Sequence, residues 1–385
     1  MVKAERIKRL MTVNLPVLAK TTAVRYFPQK NETGKKQPTG IKPYLATINI
    51  TDKCNLRCVK CNQWREPHPG EFVKEDWLGV MKQLADAGIK DINFTGGEPM
   101  MVKGIFDIMR RATELGIAVG MTSNGYLINE EKIQQLLDVG LKTITLSVDA
   151  LGDAHDEIRG YEGSFQKLEE NLAILSRHRK AGRINVYIAF LLMKDTLSHY
   201  KGVMEFAKGL EIPIVINLFD STPYFFQLGK GAPSEDEDGW IKKDADRERL
   251  REFQRYLVEE KSKNPDFTYH SFSEIKYMGD YFFDPLRQDM ACAVSQKRIC
   301  IGPKGQIYGG CWSMGTFGEL RTHTLKEILE SEYYVKTHRR MFEKKCPGCS
   351  CGYSTNVRYS LPDLVNEVKY RVLPVTKEEI YSSTR

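Results

Sequence analysis

The sequence predicts an α/β fold in which a partial (β/α)6 TIM-like barrel is followed by a small C-terminal domain. Three observations lead to it. Between residues 44 and 219 short apolar runs alternate six times with longer stretches of helical periodicity. The alternation then stops, two units short of the eight that close a barrel. Further along, residues 290 to 352 combine a hairpin pattern with a second set of cysteines.

Each repeat can be read from its residues. YLATINI at 44–50 is a strand followed by a helix over 77–87, and DINFT at 91–95 is followed by a helix over 105–115. IAVGMT at 117–122 precedes a helix over 130–139, and TITLSV at 143–148 one over 165–179. NVYIAFLL at 185–192 leads to a helix over 198–209, and PIVINLF at 213–219 ends the series. Crossovers of this kind make a parallel sheet with helices on its outer face. An irregular acidic stretch, with SEDED at 234–238, and a charged helix over 244–262 come next. RICI and QIYGG form a hairpin turned by 303–305, and a helix runs over 325–340. The expected domains are a basic helix and linker (1–43), the barrel (44–220), a connector (221–289), the cysteine-bearing domain (290–352) and a tail (353–385).

Composition excludes several classes. In a chain of 385 residues, 41% of them hydrophobic, neither disorder nor a fibrous repeat is needed. There is no apolar run of about 20 residues and no signal-peptide pattern, so a cytoplasmic protein is expected. Residues 1–43 carry ten basic side chains against Glu5 and Glu32, a net of +8 that leaves the rest of a +7 chain at −1. A near-neutral body gives little support to a nucleic-acid-binding surface, and no nucleic-acid partner is expected. The basic, amphipathic 2–20 segment is expected to pack on the barrel with its lysines in solvent. The alternative is a weak, reversible contact of residues 1–25 with an anionic membrane, peripheral at its inner surface.

The nine cysteines are not scattered. Cys54, Cys58 and Cys61 form C-x3-C-x2-C in the loop after the first strand, the catalytic rim of such folds. Three thiolates hold three irons of a [4Fe–4S] cube and leave the fourth open. Zinc competes, but a closed zinc site wants a fourth ligand, and the nearby candidate is His68 between two prolines. TGGEP (95–99), TSNG (122–125) and SVDA (147–150) fall on the second, third and fourth strand ends, followed by HDEIRG (155–160) and GSF (163–165). With these, TDKCNLRCVKC at 51–61 and Trp64 just beyond it resemble the signature of the radical S-adenosylmethionine (SAM) superfamily, from residue 44 to about 219.

The resemblance implies that SAM chelates the open iron through its amine and carboxylate. It also implies that reductive cleavage gives methionine and a 5′-deoxyadenosyl radical, which takes hydrogen from a substrate. The implied catalytic set is Cys54, Cys58, Cys61 and Glu98. Gly96 and Gly97 would admit the methionyl amine and Glu98 would accept from its ammonium; Arg159 would pair with the carboxylate, and Ser147 and Asn124 would touch carboxylate or ribose. Read without their neighbours, GGEP is a turn and Arg159 a solvated helix residue.

Cys292 and Cys311 bracket the hairpin, and Cys346 and Cys349 form C-x2-C after the last helix, so four thiolates can close around a second cluster or a zinc ion. CIGPKGQIYGGCW (300–312), GELRTHTLKEIL (318–329) and CPGCSC (346–351) resemble the shortened auxiliary-cluster module, twitch, of the SPASM group. Six cysteines in this region fill one four-cysteine site and not two, which implies a single auxiliary [4Fe–4S] cluster. Cys300 reads as a small buried residue and Cys351 as a spare thiol. The alternatives are that Cys351 replaces Cys349 as ligand, or that Cys300 or Cys351 gives a proton or hydrogen atom to a substrate radical.

Members of this group act on peptides, sugars and nucleotides. Only 43 residues precede the first strand, and they do not pattern as a leader-recognition domain. The expected substrate is therefore a small hydroxylated molecule, a sugar or a nucleotide- or lipid-linked one, that is oxidised or epimerised. A crosslinked or epimerised ribosomal peptide is the alternative, and a non-catalytic iron–sulfur scaffold or electron-transfer protein a third class. Tyr187, Tyr224, Tyr269 and Lys276 are candidate deprotonating groups, and a flavodoxin or ferredoxin the expected reductant.

Overall fold

The computed structural model describes residues 43–61, 63–65, 69–219, 239, 241, 244–283, 294–312 and 315–342, with Val365 and Lys369. Six strand-then-helix units follow one another: β1 (Leu45–Thr51), α1 (Lys74–Asp86), β2 (Asp91–Gly96), α2 (Ile105–Glu114), β3 (Ala118–Ser123) and α3 (Glu130–Asp138). Then come β4 (Thr143–Ser147), α4 (Gly152–Arg159), α5 (Ser164–Lys180), β5 (Asn185–Leu192), α6 (Tyr200–Gly209) and β6 (Ile214–Leu218). The strands lie side by side in chain order, every neighbouring pair parallel. Helices α7 (Asp244–Lys263) and α8 (Phe272–Phe283) follow the last of them.

A parallel sheet covered on both faces reads as continuous apolar runs, yet these strands alternate. Ile48, Phe94, Met121, Leu146, Ile188 and Ile216 pack into one core with the helices. The intervening residues, among them Thr47, Asn93, Thr122 and Thr145, point to the other face, where Asn93 Nδ2 donates to Thr122 Oγ1 at 3.2 Å. Among the described residues, the apolar face is the one that packs with the helices in the core. The polar inner face is what a partial barrel leaves for ligands.

The cysteine-bearing hairpin joins this sheet. After a short helix, α9 (Val294–Lys297), strand β7 (Arg298–Ile301) pairs in parallel with the free edge of β1, placing Cys300 beside Thr47. Strands β8 (Gln306–Tyr308) and β9 (Gly318–Glu319) continue outward, antiparallel. Gly305 in the β7–β8 turn lies against the Phe72 ring so closely that a Cβ there would collide with it. The helix expected over 325–340 is two: α10 (Leu325–Glu330) and α11 (Glu332–Phe342). Ser331 is extended between them, its hydroxyl donating to Ile328 O and accepting from Tyr334 N, so it ends one helix and caps the next. No described helix is long and apolar enough to cross a membrane.

One buried side chain ties the helical layer to the site. Asn171 of α5 donates to the carbonyls of Gly125 and Ile128 at 3.0 and 2.8 Å, fixing the loop that follows β3. Asn171→Ala removes the side-chain donor to Ile128 O and one of the two donors to Gly125 O, which Ile128 N also reaches, and is expected to cost about 1–3 kcal/mol. Urea unfolding followed by far-ultraviolet circular dichroism measures it, and an unchanged midpoint would show the loop holding itself.

Candidate active site

Three cysteines have to be presented by a loop with no helix or strand, so its backbone polar groups need partners from elsewhere. Two N–H groups, of Arg57 and Val59, donate to Arg159 O and Ile158 O at the C-terminal turn of α4, at 3.1 and 3.0 Å. The β2 exit zips onto the loop's beginning: Gly97 N donates to Thr51 O at 2.7 Å and Glu98 N to Lys53 O at 2.8 Å. Loop carbonyls are met by side chains of the loop itself. Arg57 Nη1 donates to Cys54 O (2.7 Å) and Leu56 O (2.9 Å), and Trp64 Nε1 to Cys58 O (3.1 Å). Arg65 reaches Cys61 O (3.1 Å) and Val59 O (3.0 Å), and the two guanidiniums lie against the Trp64 ring, 5.2 and 4.8 Å from its centre. Glu71 holds the start of the loop, accepting from Thr51 Oγ1 and Asp52 N, both at 2.8 Å.

These contacts account for glycines in both motifs. A Cβ on Gly97 would strike the Lys53 carbonyl, and one on Gly160, at φ +63°, the Arg57 carbonyl. Gly96 is equally hemmed in by Asn49 and Thr51 O. The room these residues leave is taken by residues 49–57 of the chain.

The thiols of Cys54, Cys58 and Cys61 are half-buried. Burial pushes Cys54 up to about 11, with Cys58, Glu98 and Cys61 adding and a Leu56 backbone hydrogen bond opposing; burial likewise raises Cys61. They would ionise when a metal supplies the positive charge. Two donors already face sulfur: Asn124 Nδ2 lies 3.7 Å from Cys54 Sγ, and Arg159 Nη1 3.8 Å from Cys58 Sγ. Among the described residues no three His, Cys, Asp or Glu side chains converge as a single metal ion requires. The donor set is three thiols close enough to feel one another's charge, with cation and amide beside them, which suits a cluster's spread better than one zinc ion. His68 lies outside the described residues. A cavity of about 710 Å³ opens beside the loop, lined among others by Cys54, Arg57, Trp64, Glu71 and Phe72.

Glu98 is wholly buried. Its carboxylate accepts from Ser123 Oγ (2.8 Å), Met100 N (3.0 Å) and Asn124 N (2.9 Å), so it braces the Ser123–Asn124 corner. Burial raises its pKa and those hydrogen bonds pull it back. Asn124 also donates to Asn55 Oδ1 at 2.9 Å, and Arg159 is paired with the buried Asp149 at 2.7 Å. The structure thus gathers Cys54, Cys58, Cys61, Gly96, Gly97, Glu98, Asn124 and Arg159 around one loop. Ser147, half-buried, ends β4 at the same rim, opposite Ala189.

Tyr187 pairs with Thr145, two residues or about 7 Å below that rim, and Tyr269 follows Thr268, which bridges the first residue of β6. Their rings are 6.3 Å apart, toward the opposite end of the strands from the cysteines. Lys276 sits in α8. Cys300 is fully buried in β7 and Cys311 buried just past β8. The other expected ligands of the second cluster, Cys292, Cys346 and Cys349, lie outside the described residues with Cys351, Tyr224 and residues 1–42. Sequence reasoning missed Glu71, Ser123, Asn55 and Asp149. Asn55, Ser123 and Asp149 lie inside the motifs TDKCNLRCVKC, TSNG and SVDA, whereas Glu71 had no signal.

Comparison with known proteins follows the same outline. The family model of the Radical SAM superfamily matches residues 48–207. Over 164 residues the chain is 30% identical to the sporulation killing factor maturation protein SkfB of Bacillus subtilis, covering 42% of this chain and 39% of SkfB. Over another 164 it is 32% identical to the AdoMet-dependent heme synthase of Nitratidesulfovibrio vulgaris, 42% of this chain and 44% of that protein. The chain thus covers less than half the length of these curated relatives. Among solved structures, anSMEcpe with bound AdoMet and Kp18Cys peptide superposes with a TM-score of 0.60 at 18% identity, over 88% of this chain and 95% of that one. That likeness is one of fold.

The seat of the loop on α4 can be tested with two glycines. Gly160→Ala is expected to dislodge the loop, whereas Gly163→Ala, at φ +76° with nothing within 4 Å of its Cβ, adds only backbone strain. After anaerobic reconstitution, iron and sulfide content should fall in the first variant and hold in the second. Equal loss in both would leave strain, and not contact with Arg57, as the cause.

Proposed function

Residues 48–207 are a domain of the radical SAM superfamily, and from that premise we propose that this chain is a SAM-cleaving iron–sulfur enzyme whose substrate is a peptide. Cys54, Cys58 and Cys61 are the residues that would hold the cluster. A bound [4Fe–4S] cluster with SAM would supply reductive cleavage of the sulfonium and, from it, abstraction of a hydrogen atom from substrate. The chain's own task is placement and exclusion. Asn124 and Arg159 bring N–H donors to the sulfurs, and the Glu98 carboxylate, whose Oε1 already accepts from Ser123 Oγ and Met100 N, keeps a second lone pair on Oε2 beside Asn124 N. Ser147 stands beside them. The polar inner face of the sheet offers hydroxyls and amides to a substrate that carries its own backbone donors and acceptors.

The observation that carries the peptide reading is the company the chain keeps: a maturation protein among its sequence relatives and a peptide in the complex it superposes on. It replaces the small hydroxylated substrate expected from the sequence alone. A second [4Fe–4S] cluster on Cys311 with Cys292, Cys346 and Cys349, and a flavodoxin- or ferredoxin-type reductant, complete the proposal.

Reconstituted protein given SAM and dithionite without oxygen should release 5′-deoxyadenosine and methionine, and Cys54→Ala should release none. Adding the peptide fraction of a cell lysate should accelerate release and change the mass of a peptide. Acceleration by the small-molecule fraction or by an iron porphyrin instead would overturn the peptide reading, and no 5′-deoxyadenosine under any condition would overturn the enzyme. Glu98→Gln puts an amide donor against the N–H of Met100 or that of Asn124, according to which oxygen it replaces, and removes charge from the rim. SAM affinity, by equilibrium dialysis, should weaken by about 1–3 kcal/mol with iron content kept.

A further inference from the structure

Arg159 and Asp149 form a buried ion pair whose stabilising value for the fold is small, since burying two charges costs about what their attraction returns. Their side chains are 14% and 4% exposed. What distinguishes the pair is its direction. Arg159 ends α4 and turns its guanidinium back over the loop that its own carbonyl anchors through Arg57 N. Nη1 faces Cys58 Sγ at 3.8 Å, and Nη2 lies 2.7 Å from Asp149 Oδ2. Asp149 is itself oriented, its other oxygen accepting from Leu191 N on β5 at 3.0 Å. The positive end of the pair therefore lies against a thiol, and the negative end is tied to the sheet behind it.

Resting on the reading of Cys54, Cys58 and Cys61 as cluster ligands, we propose that Asp149 and Arg159 act as a fixed charge pair setting the reduction potential of the cluster on Cys58. Charge and hydrogen bonds at the sulfurs are among the determinants of such potentials. A cation at Nη1 distance favours the reduced, more negative cluster; Asp149, a positioning residue, fixes where the cation sits and subtracts from its effect.

The test is the midpoint potential of the cluster whose electron-paramagnetic-resonance signal responds to SAM, titrated anaerobically before any SAM is added. Leaving SAM out separates this role from a carboxylate clamp, which would act on SAM affinity alone. Arg159→Gln should move the potential to more negative values and Asp149→Asn to more positive ones. The double variant should return toward wild type, and Arg159→Lys should move less than Arg159→Gln. Asn at 149 can still accept from Leu191 N, so iron and sulfide content is expected to hold in every variant. Shifts of one sign in both single variants, no shift, or loss of the cluster from either would make the pair a structural brace and overturn the proposal. If wild-type protein takes up no cluster, it is the parent reading that falls.

Discussion

The arrangement of this protein depends on finding hydrogen-bond partners for an irregular stretch of backbone, residues 52 to 61. A helix satisfies its own main chain and a strand pairs with its neighbours, but a loop that carries three closely spaced cysteines has neither arrangement to rely on. The partners come from three directions: the exit of β2, the last turn of α4, and a clamp of Arg57, Trp64 and Arg65. Each direction corresponds to a short motif. GGEP and HDEIRG contribute main chain as well as side chains, and their glycines are where two backbones touch.

The same economy runs through the sheet. One face is sealed by helices and carries the core; the other keeps threonine and asparagine. Because β1 lies between β2 and β7, the loop it delivers is flanked by main chain on both sides. Residues 70–73 bridge the two flanks: Glu71 grips the loop, Phe72 packs under the β7–β8 turn, and Arg321 reaches back to Gly70 O at 2.9 Å. The cysteine loop and the hairpin are therefore parts of one continuous hydrogen-bonded surface.

Much of this was legible in the sequence because it is local. The six repeats follow from periodicity, and the C-x3-C-x2-C loop announces its chemistry through spacing. Pairing across the chain was not legible. Nothing in RICI says that its neighbour is LATI, some two hundred and fifty residues upstream, and nothing near Glu71 says that it closes on Asp52. Arg159 and Glu98 were found by motif, but their partners, Asp149 and Ser123, are visible only once the strand ends are brought together. Ser331 split a helix through a side-chain bond that competes with the backbone, a choice that propensity leaves undecided.

The parallel pairing of β7 with β1 also bears on how the chain is made. While it emerges from the ribosome, Leu45–Ile48 have β2 on one side and a bare edge on the other until Arg298–Ile301 appear. An open edge of alternating apolar residues is a template for pairing with other chains, and long-range parallel contacts form slowly. Iron delivery that waits for the last strand would find the cysteine loop already walled on both sides.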